Sequence, residues 1–375
     1  MMVGLKELLL GAASALVLVG VLACSLLCIP WHLLPDSGAL PAVLGLAAAL
    51  GAAAAGRARG GVRVAAWLAA VALAALSLAA VGSTLGFRVV PNSPYASATL
   101  ADVPCDSPLI LNVTAVPFHV NVQPWGGEGV SVVIEAPSNL VEEVERSVTI
   151  SHAVDPSDGI LHLRIQSEYR RPIAIGWLAL SPPELTLRVM VPWAGGCRVL
   201  RAYIYTVSGD VAVRVDVDLL SVQSVHGSLN LSGDFGVLEA ETVSGGVFLS
   251  GGVLRGGTVR STSGDVRGEV LAAAGALGPA GAGGTLYLST TSGDIEVEIS
   301  REEDVHLEIY ASTTSGRATL MEDGGGSGGG LDVAVISEGE VRGSVGPPGG
   351  REFRLVAETT SGDVTIRYAG VWRAG

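Results

Sequence analysis

Two hydrophobic rhythms divide the chain near Phe87. Over residues 1–87 apolar residues follow one another almost without interruption, while beyond residue 88 they alternate with polar ones and include most of the β-branched side chains. Leu8 to Ile29 is an uncharged run of 22 residues, long enough at about 1.5 Å per residue to cross a hydrocarbon core. Val62 to Leu85, broken only by Arg63, predicts a second such span, and the Ala-rich stretch from Ala39 to Gly56 predicts a shorter one between them. The expectation is an α-helical anchor in residues 1–87, with three transmembrane helices near 8–29, 39–56 and 62–85 held in the lipid bilayer.

Charge then sets the direction. Arg57, Arg59 and Arg63 share one short connection, which the positive-inside bias holds in the cytoplasm. The helix that follows exits outward, so residues 88–375 are expected to be extracellular on a multi-pass cell-membrane protein, with Lys6 inside. A cleaved leader ending at Val21-Leu22-Ala23-Cys24 fits less well, because the apolar run continues through Ser25 to Ile29 and further spans follow.

Beyond a linker at 88–104, the polar part contains one phrase many times. Thr206-Val-Ser-Gly-Asp-Val211, Thr242-Val-Ser-Gly-Gly-Val247, Ser261-Thr-Ser-Gly-Asp-Val266, Thr290-Thr-Ser-Gly-Asp-Ile295, Thr313-Thr-Ser-Gly-Arg-Ala318 and Thr359-Thr-Ser-Gly-Asp-Val364 are the strong copies. Weaker ones surround Gly227 and Gly339. The glycines Gly209, Gly227, Gly245, Gly264, Gly293, Gly316, Gly339 and Gly362 are spaced 18, 18, 19, 29, 23, 23 and 23 apart. The longer steps hold the Ala/Gly/Pro tract from Leu271 to Gly284 and the run from Gly324 to Gly330, which read as loops.

With the glycine as zero, apolar residues recur at −7, −5, +2 and +4, as in Leu220, Val222, Leu229 and Leu231 around Gly227, and Leu286, Leu288, Ile295 and Val297 around Gly293. Each flank alternates with period two, as a half-buried strand does, and the parity flips across Ser-Gly-Asp. That step is therefore a turn, with glycine supplying a positive φ and Ser and Asp bonding nearby amides. One bent strand pair cannot bury its own apolar face. Stacking copies at about 4.8 Å forms a continuous core with Gly209, Gly227, Gly245, Gly264, Gly293, Gly316 and Gly362 in one column, which is the logic of an all-β solenoid of β-helix type. The repeats occupy 201–370, followed by a tail at 371–375. Residues 105–200 also alternate, in Leu109 to Val113, Val130 to Glu135, Leu161 to Ile165 and Leu185 to Val191, and are either irregular first coils or a cap.

The repeats resemble the "putative adhesin" family, a domain of unknown function built from single-stranded β-helix rungs with recurrent Thr-x-Ser-Gly-Asp-Val motifs. The similarity is strongest from Leu185 to Tyr368 and includes the lead-in Leu185-Thr-Leu-Arg-Val-Met-Val-Pro192. It implies a β-helix tethered to the membrane or envelope. The three-span anchor and the Gly-rich insertions lie outside the resemblance.

Composition narrows the chemistry. Subtracting the +2 carried by residues 1–87 from the total of −13 leaves −15 for the remainder, which repels phosphate backbones and excludes nucleic acid as a partner. One residue after each glycine, chain order gives Asp210, Ser228, Gly246, Asp265, Asp294, Arg317, Glu340 and Asp363, with Arg317 between Asp294 and Glu340. Interspersed signs relieve repulsion between neighbouring rungs, and the calcium-roll spacing Gly-Gly-x-Gly-x-Asp is missing, so Asp210, Asp265, Asp294 and Asp363 read as turn residues, with a calcium between Asp265 and Asp294 as the alternative. His152 and His162 could face each other across a hairpin, but no metal or catalytic motif accompanies them, and no Gly-x-Ser-x-Gly elbow occurs outside the low-complexity run from Gly324 to Gly330. No cofactor, metal or enzymatic activity is expected.

Cys105 and Cys197 are either a disulfide, which an oxidising compartment permits, or two buried thiols. Asn112-Val-Thr114 and Asn230-Leu-Ser232 match the glycosylation pattern. Tether, solenoid and missing catalytic cluster point first to an adhesin-like or structural interaction protein at the cell surface, contacting envelope polymers or surface proteins. The rival class is a membrane regulator or envelope-stress sensor whose solenoid binds a signal. A carbohydrate-active enzyme is a third and weaker reading.

Overall fold

The computed structural model describes residues 94–169, 174–176, 179–181, 184–193, 196–253, 255–273, 284–322 and 331–372. The three expected spans, the Gly324 to Gly330 run, most of the Leu271 to Gly284 tract and the end of the tail lie outside the described residues.

In chain order the first strands are β1 (Tyr95–Pro104), β2 (Leu109–Val116), β3 (His119–Trp125) and β4 (Gly129–Pro137), followed by the short helix α1 (Val141–Ser147). Next come β5 (Val148–Val154), β6 (Leu161–Glu168), the pair β7 (Ala174–Gly176) and β8 (Ala179–Ser181), and β9 (Thr186–Pro192). The repeats supply β10 (Val199–Ser208), β11 (Val211–Val213), β12 (Val217–His226), β13 (Leu229–Ser232), β14 (Phe235–Ser244), β15 (Val247–Val253), β16 (Gly256–Ser263), β17 (Val266–Ala272), β18 (Gly284–Ser292) and β19 (Ile295–Arg301). The last are β20 (Val305–Ser315), β21 (Ala318–Glu322), β22 (Asp332–Ser337), β23 (Glu340–Val345), β24 (Arg351–Ser361) and β25 (Val364–Val371). Residues 95–104, assigned above to a linker, instead form β1, which pairs antiparallel with β4. Its Ala-, Ser- and Thr-rich alternation is too weakly apolar to stand out in the sequence.

Two parallel ladders run side by side. One passes through β6, β2, β10, β12, β14, β16, β18, β24 and β20. The other passes through β9, β3, β11, β13, β15, β17, β19, β25 and β21. A rung is one strand from each ladder joined by a corner. Inward side chains meet in a narrow core: Leu220, Val222, Leu229, Leu231, Leu286, Leu288, Ile295 and Val297 are all buried. The open question over residues 105–200 resolves both ways. Strands β2, β3, β6 and β9 add two parallel rungs, while β5 and β4 lie antiparallel against β6 and β9 and close that end. Closure of this kind satisfies an edge that would otherwise invite aggregation.

Rung order is not chain order. The C-terminal repeat, β24 and β25, sits between β18–β19 and β20–β21. Strand β23 runs antiparallel along the outer edge of β20, and β22 along β23, so that edge is already taken and the final repeat fills the ladder from within. At the other end β6, later in the chain, lies outside β2. A disulfide joins Cys105 to Cys197 with 5.3 Å between Cα atoms, tying together the segments that lead into the paired strands β2 and β10.

Leu288 is 1 % exposed, and Leu288→Asp should place an unpaired carboxylate in the core. The expected loss is about 3–5 kcal/mol in chemical denaturation. Truncation before Arg351 should remove the rung that bridges β18 to β20 and leave residues 305–345 open to limited proteolysis. Unchanged protection of that segment would contradict the inserted order.

Candidate functional site

The repeated phrase forms a column of corners. Gly209, Gly227, Gly245, Gly264, Gly293, Gly362 and Gly316 stack in that order, each against the backbone carbonyl of the corner before it. Gly245 shows why no other residue fits: its φ is +150°, and a Cβ would lie 2.2 Å from the Gly227 carbonyl oxygen.

The two ends of the column depart from the sequence expectation. Gly209 does not begin it: this glycine, at φ +150°, packs on the Phe118 carbonyl, at the bend between β2 and β3. That bend is Pro117-Phe118 and lacks the repeated phrase, so the sequence pattern could not register it as a corner. Gly316 lacks the positive φ expected of every corner glycine. Its rung, β20–β21, is the last of the parallel ladders among the described residues, and beyond it the Glu338–Gly339 turn accepts from the Thr313 and Ala318 amides at 2.8 and 3.1 Å. Contact still demands glycine there, since a Cβ would lie 2.0 Å from the Gly362 carbonyl oxygen. Gly339 is outside the column altogether, in the turn between the antiparallel strands β22 and β23.

The hydroxyl three residues before the glycine donates to the preceding corner's carbonyl at every corner of the column but that of Gly227, where the buried Ser224 hydroxyl has no partner among the described residues. Thr242 donates to the Gly227 carbonyl at 3.1 Å, Ser261 to Gly245 at 3.0 Å, Thr290 to Gly264 at 3.0 Å, Thr359 to Gly293 at 3.0 Å and Thr313 to Gly362 at 2.9 Å. Threonine recurs because a buried corner carbonyl needs a donor.

The aspartates carry the column forward. Asp210 accepts from the Ser228 amide at 2.8 Å, Asp265 from Asp294 at 3.0 Å, Asp294 from Asp363 at 2.8 Å and Asp363 from Arg317 at 2.8 Å. The second oxygen of Asp265 pairs with Arg267 at 2.7 Å. His119 takes the aspartate's place at the start, its Nδ1 accepting from the Asp210 amide at 3.0 Å. Asp363 is therefore the neighbour between Asp294 and Arg317, and Glu340 stands outside the series. Chain order misplaced both because the last repeat is inserted. A second ladder of the same type escaped the sequence reading: Asp216 accepts from the Asp234 amide at 2.9 Å and Asp234 from Gly252 at 3.0 Å. Its signal was the 18-residue repetition of Ser232-Gly233-Asp234 in Ser250-Gly251-Gly252.

With one oxygen of each on a backbone amide, these carboxylates are turn elements. Among the described residues no group of three or more His, Cys, Asp or Glu could hold a metal ion. His152 and His162 are not opposed: His152 pairs with Leu163 and His162 with Ala153, so the two imidazoles project from opposite faces. Asn112 and Asn230 are exposed on outward faces of β2 and β13.

What the chain order hid is a trough on the outer face near the C-terminal end. Cross-strand pairing sets Tyr287, Val356, Tyr310 and Arg342 in one row on β18, β24, β20 and β23. The adjacent row is Arg354, Glu308, Ser344 and Asp332. These rows line a cavity of about 570 Å³. On the other side of the tyrosine row run Ser289, Glu358, Ser312 and Glu340, then Thr291, Thr360 and Thr314, lining a second, hydroxyl-rich cavity of about 590 Å³. The guanidinium of Arg342 lies over the Tyr310 ring at 5.1 Å, a cation–π contact. Glu308 accepts from Nε and Nη2 of Arg354 at 2.9 and 2.7 Å, and this bonding pushes the Arg354 pKa above its ordinary value.

Residues 199–367 match the family described as Toastrack DUF4097. This stretch is a toastrack domain. Similar solved structures include a "putative adhesin" from Bacteroides fragilis, at 12 % identity over 75 % of this chain and 100 % of that one with a TM-score of 0.35. Others are a "putative cell adhesion protein" from Clostridium sporogenes (11 %, 74 % and 100 %, TM-score 0.27) and a "putative lipid binding protein" from Parabacteroides distasonis (10 %, 75 % and 100 %, TM-score 0.33). No curated protein matches. The toastrack ladders extend beyond the matched stretch, since β2, β3, β6 and β9 continue them through residues 109–192.

Within the toastrack, Gly245→Ala should cost about 3 kcal/mol or more, because a methyl group cannot share space with a neighbouring backbone carbonyl. Asp294→Asn should cost under about 1 kcal/mol, since an amide oxygen still accepts the Asp363 N–H. Denaturation midpoints of the two variants check the contrast. Equal, large losses would assign Asp294 to a bound cation or a buried network.

Proposed function

We propose that the chain is a membrane-anchored surface protein whose toastrack solenoid contacts envelope polymers or neighbouring surface molecules, in the manner of an adhesin. The observation that carries this reading is the outer-face trough, in which side chains that the fold does not require gather over three adjacent rungs. The corner residues are different: their hydroxyls and carboxylates are committed to backbone groups and serve stacking.

Anchoring rests on the hydrophobic runs of residues 1–87, and outward display on Arg57, Arg59 and Arg63. The −15 on residues 88–375 favours solubility and disfavours nucleic acid and strongly anionic surfaces. A ladder bonded along its whole length gives a stiff mount, so contacts made in the trough need little ordering on binding.

Protease added to intact cells should digest residues 94–372 and remove a C-terminal tag at Gly375. Protection of that tag would reverse the topology. Purified full-length chain should also be captured by isolated cell envelopes. Absence of capture would sink the interaction reading.

A further inference from the structure

We propose that the trough is a saccharide-binding site for a neutral pyranose polymer, an inference that rests on the surface-interaction reading and gives it a ligand class. The trough is a sheet face, not an edge. Its backbone N–H and C=O groups are already paired between β18, β24, β20 and β23, so an added peptide strand has no ladder to join and recognition falls to side chains.

Those side chains have the chemistry a sugar needs. Tyr287 is 49 % exposed beside Val356, which forms an apolar floor, and Tyr310 stands two strands further on, about 10 Å away by the strand spacing. An aromatic ring with an adjacent aliphatic side chain suits the C–H face of a pyranose, whose polarised C–H groups pack against the π-electrons. Flanking rows supply the hydroxyl partners. Glu308 and Asp332 accept on one side, Ser289 and Ser312 accept or donate on the other, and Arg342, paired with Glu340 at 3.1 Å and lying over Tyr310, closes the end of the tyrosine row.

Two further features choose among ligands. Arg354 is engaged by Glu308 and Glu352, while Glu308, Asp332, Glu340 and Glu358 line the rows, so a polyanion meets repulsion and a neutral glycan does not. The cavities of about 570 and 590 Å³ lie on the same outer face. A polymer running across the strands meets a new rung every ~4.8 Å, comparable with the length of one sugar unit. A chain of sugars can therefore repeat its contacts rung by rung.

The test uses the full-length chain, immobilised, with fluorescently labelled cellotetraose, maltotetraose, chitotetraose and mannotetraose, and with tetragalacturonate as the anionic comparator. Isolated envelopes are assayed in parallel. At least one neutral tetrasaccharide should bind more tightly than tetragalacturonate. Tyr287→Ala should weaken that binding at least tenfold, and Tyr287→Phe should retain it within about twofold because the ring remains. Circular dichroism spectra matching the wild type confirm that the variants fold. Envelope capture without binding of any neutral tetrasaccharide overturns this inference and leaves the interaction reading standing. Tetrasaccharide binding without envelope capture supports the ligand class and removes the wider reading. Equal affinity of Tyr287→Ala and wild type overturns the placement of the site in the trough.

Discussion

The fold depends on how closely consecutive corners approach. At each one the Cα of a glycine faces the carbonyl oxygen of the preceding corner, and Gly245 and Gly362 would each place a Cβ within 2.2 Å of that oxygen. Strand spacing and side-chain stacking leave no slack to relieve such a clash, so the residue type is dictated by its neighbour. Gly316 makes the point most directly, because the contact alone requires glycine there and the backbone angle does not. The threonine or serine at −3 then supplies a donor to the same carbonyl, and aspartate, where present, accepts the next rung's amide. Three positions of the five-residue phrase thus answer one another across rungs, which is why the phrase repeats as a unit.

This division of labour separates what holds the solenoid from what is free to meet a partner. Inward residues at −7, −5, +2 and +4 are apolar, and those at the corner are bound to backbone. Outward residues at −6 and −4 answer to neither demand. In the middle of the domain they are Glu239, Thr258, Gln223 and Arg260, an ordinary solvated mixture. Near the C-terminal end they become Tyr287, Val356 and Tyr310 with hydroxyls and paired charges beside them. A rigid ladder presents those groups at fixed spacing, and β22 with β23 extends the same face to Arg342 and Asp332.

Insertion of the last repeat is what assembles the trough. Tyr287 and Tyr310 are 23 residues apart in sequence, yet the residue between them is Val356, from the far end of the chain. Were the rungs stacked in chain order, the two tyrosines would adjoin and the Val356 floor would lie elsewhere. The identical Thr-Thr-Ser-Gly phrases at 290, 313 and 359 permit either order, since each presents the same register to a neighbour. The antiparallel cover on β20 breaks the tie.

The sequence alone determined the solenoid. Period-two alternation, the parity flip at Ser-Gly-Asp and the 18-residue steps are local properties, and local backbone geometry leaves them one outcome: bent strands whose apolar faces need stacking. Leu220, Leu229, Leu288 and Ile295 were assignable to the core for that reason. Tertiary structure alone decided which rungs touch, because equivalent phrases carry no label for their neighbours. It therefore decided that Gly209 rests on an earlier corner, that Asp363 follows Asp294, that Gly316 ends the column and Gly339 stands apart, that β1 is a strand, and that Tyr287, Val356 and Tyr310 share a row. Surface residues on a strand have no sequence signature, since their meaning comes from the side chains set beside them by pairing between distant segments.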